Sequence, residues 1–461
     1  MQSWKPDIAA SAGPKYLAIA EALSRDIQSG RLVAGDRLPP QRALAEALGV
    51  DLTTITRAYG EAQRLGLIEG DGRRGSFVRA RGPSPADLRS RAETSDAGMN
   101  APPELGVGLL SLELRRSVEA LLGSSDPLAL QYQPRGGMPA ARECGARLLA
   151  ARDVPCFDDS VVVTAGGQHA LHAIFSAELR PGDALAVAQH VYPGLLALAA
   201  RFGVELRAVP SDREGLDPDA LDALCTGQAV RGLYVVPTND NPTTATMSPE
   251  RRKAIAAVAD RHGLLIIEDD AYGMLPEQAL APIAVFAPER TWHVASVSKI
   301  LSPGLRVAWL RAPDVAAAWR LAADMHETAI MAPPLNTAVV VDWIERGLFG
   351  TLVGEVRAEA RARQALVRTA LPAGSYAAHD DGYHLWVPLG DEADPSRVAD
   401  ALRAQGLSAI ASEAFAVDRA KPGAALRVSI GGTLTRDRLE RGLRLLGALA
   451  DPRTMRKTSL V

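Results

Sequence analysis

The sequence predicts two unequal folded parts joined by a linker: a small helical module closed by a β-hairpin, then a large α/β domain on a mostly parallel sheet. Three observations predict it. The 461 residues exceed what one ordinary hydrophobic core supports. Residues from about 14 to 79 read as short helical periods ending in a Gly-rich hairpin. From about 104 onward, apolar runs of five to seven residues alternate with helical patterns, as expected of strands linked by helices.

Composition narrows the class. Apolar residues make up 47% of the chain, enough for large cores, yet no segment approaches the unbroken apolar run of about 20 residues that spans a membrane. Met1-Gln2-Ser3-Trp4-Lys5-Pro6 lacks the basic-then-apolar layout of a signal peptide. Cys144, Cys156 and Cys225 form neither a metal-type spacing nor an even disulfide set. These features predict a cytoplasmic chain with reduced thiols, no metal and no membrane partner. The net charge of −3 divides into +3 over residues 1 to 81 and −6 over the rest, a weak hint that the first part meets nucleic acid.

In the first part, Tyr16, Ile19, Leu23 and Ile27 recur at helical spacing and predict a helix over about 15–29, stopped by Gly30. A second helix starts near Pro40 and buries Leu44, Ala45 and Leu48; Gly49 makes the turn. Asp51 is placed to cap a third helix, "LTTITRAYGEAQRLG", which buries Leu52, Ile55, Tyr59 and Leu65 and leaves Thr53, Thr54, Thr56 and Arg57 outside. "LIEGDGRRGSFVR" then reads as strand, Gly-rich turn, strand, with Arg73, Arg74 and Gly75 at the turn. Two helices across a Gly turn, the second with small polar and basic outer residues, fit a recognition helix in a major groove. Periodicity alone leaves open a small bundle whose Thr and Arg simply face water.

The run "RLPPQRALAEALGVDLTTITRAYGEAQRLGLIEGDGRRGSFVR" resembles the winged helix-turn-helix of GntR-type bacterial regulators over nearly its whole length. The resemblance implies operator binding through Arg42, through Thr53, Thr54 and Arg57, and through the wing at Arg74 and Gly75. The stretch that follows, "ARGPSPADLRSRAETSDAGMNAPP" (80–103), is rich in Pro, Ser, Ala and charge and reads as the linker.

In the second part, four apolar runs end in polar residues. "VVVTAGGQHAL" breaks into Gly166-Gly167 and opens a helix, "GLYVVPTNDNPTT" ends near Asn241-Pro242, "LLIIEDDAYGM" ends at Asp269 with Tyr272 beyond, and "TWHVASVSK" ends at Lys299. Ligands of open α/β sheets bind outside the carboxyl ends of the strands, so the four endings can share one site. Pyridoxal phosphate wants such a set: an amine for its aldehyde, a carboxylate for its ring nitrogen, and backbone N–H groups, hydroxyls and a cation for its phosphate. Lys299, Asp269, the Gly166-Gly167-Gln168 helix start, Ser296 with Ser298, and Arg306 meet these demands in turn. Singly each is weak. A lone lysine after a strand is usually a solvated charge, and "EDD" is more often an exposed loop or a metal pair.

The ordered set is similar to fold-type I, class I aminotransferases over roughly 128–432. "SVSK" with "PGLR" behind it matches their cofactor-lysine segment. The resemblance implies that Asn241 of "NDNPTT" and Tyr272 of "DDAY" bond the cofactor's phenolic oxygen, and that Tyr192 of "HVYPG" stacks on its ring. It further implies that Tyr132 of "QYQPRGG" reaches the phosphate of the partner subunit in a homodimer, and that Arg427 of "LRVSIGG" binds an α-carboxylate. A GntR-type head linked to such a domain is the architecture of MocR-type regulators, which the whole chain resembles. Two departures stand out. Thr244 replaces the Gly of their "H-Q-F/Y-P-T-G", and Glu268-Asp269-Asp270-Ala271-Tyr272 stands where many read "E-D-D-Y-D", a form nearer to working aminotransferases.

The resulting expectation is a winged helix-turn-helix domain at 12–79, the linker at 80–103, and an aminotransferase-like domain of fold type I at 104–450. That domain comprises a large part of about 125–310 and a smaller α+β part of about 311–450, followed by a tail at 451–461. Its implied partners are operator DNA and a small amino compound, or the free cofactor itself. An incoming amine would displace Lys299 while Arg427 clamps its carboxylate. The rival reading is an active aminotransferase that carries a DNA-binding head.

Overall fold

The computed structural model describes residues 4–6, 14–28, 31–33, 35–64, 67–70, 75–78, 98–123, 130–390 and 393–450. Arg73 and Arg74, most of the 80–103 stretch and the 451–461 tail lie outside them. The chain divides into two compact units, Met1–Ser95 and Asp96–Val461.

The first unit holds helices α1 (Lys15–Gln28), α2 (Gln41–Leu48) and α3 (Leu52–Arg64), then strands β1 (Ile68–Gly70) and β2 (Ser76–Val78). Ile19, Leu23, Leu44, Ile55, Tyr59, Ile68 and Val78 form one core. Gly49 turns α2 into α3 because it takes φ +61° without a side-chain clash. The β1–β2 hairpin is antiparallel, and a further piece of chain joins it through an Arg37–Phe77 bridge. Leu52 is exposed, not buried as its spacing suggested. It is the first residue of α3, one turn ahead of the face made by Ile55, Ala58, Tyr59 and Ala62.

The second unit is built on β3 (Val161–Thr164), β4 (Ala184–Ala188), β5 (Glu205–Val209), a small hairpin of β6 (Ser211–Asp212) and β7 (Gly215–Leu216), β8 (Gly232–Val235), β9 (Leu265–Asp269), β10 (Thr291–Ser296) and β11 (Ala308–Arg311). Seven of them form a sheet in the order β3-β11-β10-β9-β8-β4-β5, in which only β11 runs antiparallel. The residues of β3, β8, β9, β10 and β11 are all buried, which explains their near-continuous apolar runs. Helix boundaries follow local chemistry. The helix Pro249–His262 starts with Ser248 accepting the Arg251 N–H and Pro249 in its first turn, and it stops at Gly263 with φ +65°. Beyond β11 the smaller part carries an antiparallel sheet of β12 (Ala377–Ala378), β13 (His384–Pro388), β15 (Ala425–Ser429) and β14 (Ala409–Ala411), in that order.

The stretch read as linker to residue 103 differs from its description. From Gly98 it is hydrogen-bonded into the second unit: Gly432 N–H donates to the Ala101 and Pro102 carbonyls, and Glu104 N–H donates to Gly432. Proline and alanine content signalled an open chain, but these backbone groups are paired. Among the described residues, no helix is long and apolar enough to cross a membrane.

Candidate functional site

Adjacent parallel strands β10, β9, β8 and β4, with β3 beyond β11, end on one edge of the sheet. The sequence-predicted residues therefore converge. After β3, Gly166 (φ +80°) leads into the helix Gly167–Glu178. A side chain at Gly166 would come within 2.6 Å of Arg306 Nη2, and one at Gly167 would lie 3.7 Å from Ser296. Arg306 itself sits at φ +51°. It donates to the Ala165 carbonyl (3.0 Å) and toward Ser298 Oγ (3.4 Å). Ser296 accepts the Ser298 N–H. Two glycines, a helix start, two buried hydroxyls and a guanidinium thus form a cup suited to a phosphate.

Asp269 ends β9 and accepts a hydrogen bond from the Tyr234 hydroxyl at 2.9 Å. Burial pushes its carboxyl up to about 6, with Asp270 adding to the rise; Tyr234, Lys299 and His293 hold it down. Lys299 is pushed down to about 8 by burial and then by Arg427, with Asp269 opposing. Burial also raises the Tyr192 hydroxyl, and Asp269 raises it further. Tyr192 and Gln168 both flank Gly194, where a Cβ would meet them at 2.3 and 2.6 Å. Asn241 is buried after the end of β8, and its Oδ1 and the Oε1 of Gln168 lack a protein hydrogen-bond partner.

"EDD" is not an exposed loop. Glu268 accepts the Ile283 and Ala284 N–H groups at 2.7 and 2.9 Å, while Asp270 is buried against Arg152 and His293. Among the described residues, no group of three or more His, Cys, Asp or Glu could hold a metal. Tyr132 is not brought to this group: it is 80% exposed.

Sequence reasoning missed a group of buried polar residues that hold Tyr272 and Lys299. The Asn100 side chain donates to Tyr272 Oη at 2.9 Å and lies 3.1 Å from His384 Nδ1, and its Oδ1 accepts from Ser429 Oγ at 2.7 Å. His384 Nε2 lies 3.0 Å from the Asp240 carbonyl. Nε2 is thus the protonated nitrogen, in a ring that burial pushes down to about 3 and keeps neutral. Lys299 Nζ donates to the Asn100 carbonyl at 2.6 Å, and Arg427 Nη2 donates to the Gly98 carbonyl. Single polar residues without periodicity leave no sequence signal. A cleft of about 1000 Å³ opens nearby, with Tyr234, Asp240 and Trp386 in its wall and Lys299 outside it.

On the first unit, Arg42, Thr53, Thr56 and Arg57 are exposed, and Thr54 is half-buried. Thr56 donates to Gln41 Oε1 (2.8 Å), tying the outer face of α3 to the start of α2. Gly75, at φ +112°, packs on Arg37: a Cβ there would lie 3.3 Å from Arg37 Nε.

Residues 104–446 match the family model described as aminotransferase class I and II, and residues 15–78 match that of bacterial regulatory proteins, gntR family. The uncharacterized HTH-type transcriptional regulator YdeF of Bacillus subtilis is 29% identical over 98% of both chains. The HTH-type transcriptional regulator TauR of Rhodobacter capsulatus is 29% identical over 84% of this chain and 87% of its own. A crystal structure of Pyrococcus horikoshii kynurenine aminotransferase superposes with a TM-score of 0.71 at 23% identity, covering 83% of this chain and 96% of that one. The last likeness is one of fold.

Proposed function

The chain belongs to the family of class I and II aminotransferases and bears a gntR-type head. From that premise we propose that it is a cytoplasmic transcriptional regulator of the MocR type. It binds operator DNA through residues 15–78 and senses an amino compound, or pyridoxal phosphate itself, in its aminotransferase-like domain. One observation carries the reading: Lys299, Asp269 and the Arg306 cup meet at one sheet edge, in a chain whose first unit presents Arg42, Thr53 and Arg57 on its surface.

The residues present fit the cofactor. The partnerless Gln168 Oε1 and Asn241 Oδ1 are buried polar atoms of the kind a bound polar group satisfies, and the glycines leave room beside Arg306. Lys299, Asp269, Tyr272, Asn241, Tyr192, Gly167, Gln168, Ser296, Ser298 and Arg306 would hold it. When bound, pyridoxal phosphate supplies an aldehyde for an amine and a ring that withdraws electrons. Asp269 keeps a proton at the ring nitrogen. Arg306, the serines and the helix start neutralise the phosphate. Arg427, buried on β15, clamps an α-carboxylate. Tyr132 serves the other subunit of a homodimer. A ligand changes DNA binding only by binding two states of the chain unequally.

The test is a DNA titration of the full chain on the fragment upstream of its own gene, with and without pyridoxal phosphate and each amino acid. A shift in affinity or footprint is expected. If none alters either, the sensor reading fails. A second reading, a working aminotransferase, is favoured by one observation: Tyr272, three residues after Asp269 in the "DDAY" form nearer to working aminotransferases, is buried and accepts a hydrogen bond from Asn100. Steady keto-acid production by the loaded chain would support it.

A further inference from the structure

The cleft of about 1000 Å³ lies between the two parts of the second unit, and Lys299, Asp269, Tyr192 and Arg306 have no share in its wall. The large part contributes Tyr234, Asp240 and the β6–β7 hairpin; the smaller part contributes Tyr376, Ala377 and Trp386. Asp240 is the unusual member. It is 9% exposed, and its Oδ2 accepts from Thr243 Oγ at 2.6 Å and from the Thr243 N–H at 3.3 Å. Both bonds lie within its own turn, so they do not depend on what fills the cofactor seat. Among the described residues, no cation is bonded to it. Burial pushes its carboxyl up to about 6; the Thr243 bonds oppose the rise and Asp269 adds to it, which leaves the group charged at neutral pH. A buried charge without an opposite partner is costly, and a cation in the cleft would offset that cost.

Strand geometry brings an aromatic ring to the same wall. His384 Nε2 lies 3.0 Å from the Asp240 carbonyl. Trp386 stands two residues further along β13 and so faces the same side of the sheet, about 7 Å on. Ala377 of β12 is directly opposite Trp386 and shares that face. The faces of Trp and Tyr rings attract cations. At the mouth, Arg213 and Arg368 are exposed, and Asp212 and Asp380 stand with them. The lining thus carries three carboxylates against two guanidiniums. We infer that this cleft is a second ligand site, separate from the cofactor seat, and that it takes an organic cation: an ammonium group on an apolar or aromatic body, the ammonium on Asp240 and the body along Trp386. Its volume suits one ligand of ordinary metabolite or drug size. An occupant would touch the large and the smaller part at once. The inference goes beyond the function proposed above and does not need the cofactor to be bound.

Titration calorimetry on the full chain loaded with pyridoxal phosphate tests the site. The probe is N,N-dimethylphenethylamine, a cation at neutral pH that, as a tertiary amine, cannot condense with the cofactor's aldehyde. Saturable binding is expected, and hydrocinnamate, an anion of similar shape, should not bind. Asp240→Asn keeps the shape of the wall and removes its charge; it should weaken the probe about tenfold or more. Ala377→Trp fills the cleft beside Trp386 without touching Asp240 and should weaken the probe as well. Cofactor absorbance should match wild type in both variants, which shows that the cofactor seat is intact. No saturable binding at millimolar probe, equal affinity for hydrocinnamate, or an affinity that neither variant lowers overturns the cation site and leaves the sensor reading standing. A chain that fails to load with cofactor counts against the proposed function instead, and binding of the probe to that unloaded chain still decides this site.

Discussion

Glu268, Asp269 and Asp270 are consecutive and buried, and their environments separate their roles. Glu268 caps the turn at Ile283–Val285, and Asp270 pairs with Arg152 and His293. Asp269 faces Tyr234 and Lys299. Removing one partner of a buried pair costs about 3–5 kcal/mol, so Asp270→Ala should destabilise the chain by that order in urea unfolding. Asp269→Ala should leave the midpoint near wild type and reduce cofactor affinity instead. Equal midpoints for both variants would refute the division of labour. Lys299 gives a pH prediction. Its folded value, near 8, lies below the ordinary 10.5, because burial and Arg427 disfavour the charge. Only the free base attacks an aldehyde. Attachment of pyridoxal phosphate to the apo chain should therefore speed about tenfold per pH unit up to about 8 and then level off. A midpoint above 10 would place Lys299 in water. Lys299→Ala should leave no cofactor that borohydride can fix to the chain. Residues whose chemistry suits a ligand were legible in the sequence as an ordered set; Asn100, His384 and Ser429 were not, because their partners lie hundreds of positions away. Thr244 was legible as a departure, and the structure places it at φ +64°, where Gly is the easy residue.

Elements were readable where a period or a stop residue marks them. α1, α2 and α3 lie within two residues of the ranges read from apolar spacing, and the buried strands followed from their unbroken apolar runs. The linker boundary misled because composition reports average openness, whereas residues 98–103 are pinned by a few backbone bonds to Gly432 and by one asparagine. The small-part strands β12 and β14 are two and three residues long and carry no period to read. The prediction at this scale concerns α3. Arg57 is exposed on the face opposite the Ile55–Tyr59 core. Arg57→Ala should weaken DNA binding and lower the salt slope by about one unit if the contact is to phosphate. Its cofactor absorbance should match wild type, since the two units have separate cores. An unchanged DNA affinity and slope would remove Arg57 from the interface.

At the scale of the whole molecule, one predicted site residue stands apart. Tyr132 is 80% exposed, next to Leu130 at 60%. The adjacent Gln133 N–H donates to Met331 Sδ, and an apolar groove runs there between Met138, Val163, Met331, Pro334 and Val341. Ile330 is exposed beside it. Contiguous apolar surface of this kind is what a second copy of the chain would cover. The chain should therefore sediment as a dimer, and Met331→Asp should yield monomers that bind cofactor poorly. Whether Tyr132 serves its own site or its partner's can be decided by mixing two defective chains. Tyr132→Phe loses the hydroxyl offered to the phosphate, and Arg306→Ala loses the guanidinium of the cup. Each homodimer should hold cofactor weakly. If Tyr132 acts across the interface, a heterodimer of the two places the intact Arg306 of one chain beside the intact Tyr132 of the other. One of its two sites is then complete, and the other carries both defects. Refolding an equimolar mixture should thus restore tight binding to about half the sites of the heterodimer fraction, measured by cofactor absorbance after gel filtration. If Tyr132 serves its own chain, every site keeps one defect and the mixture binds no more tightly than its parents.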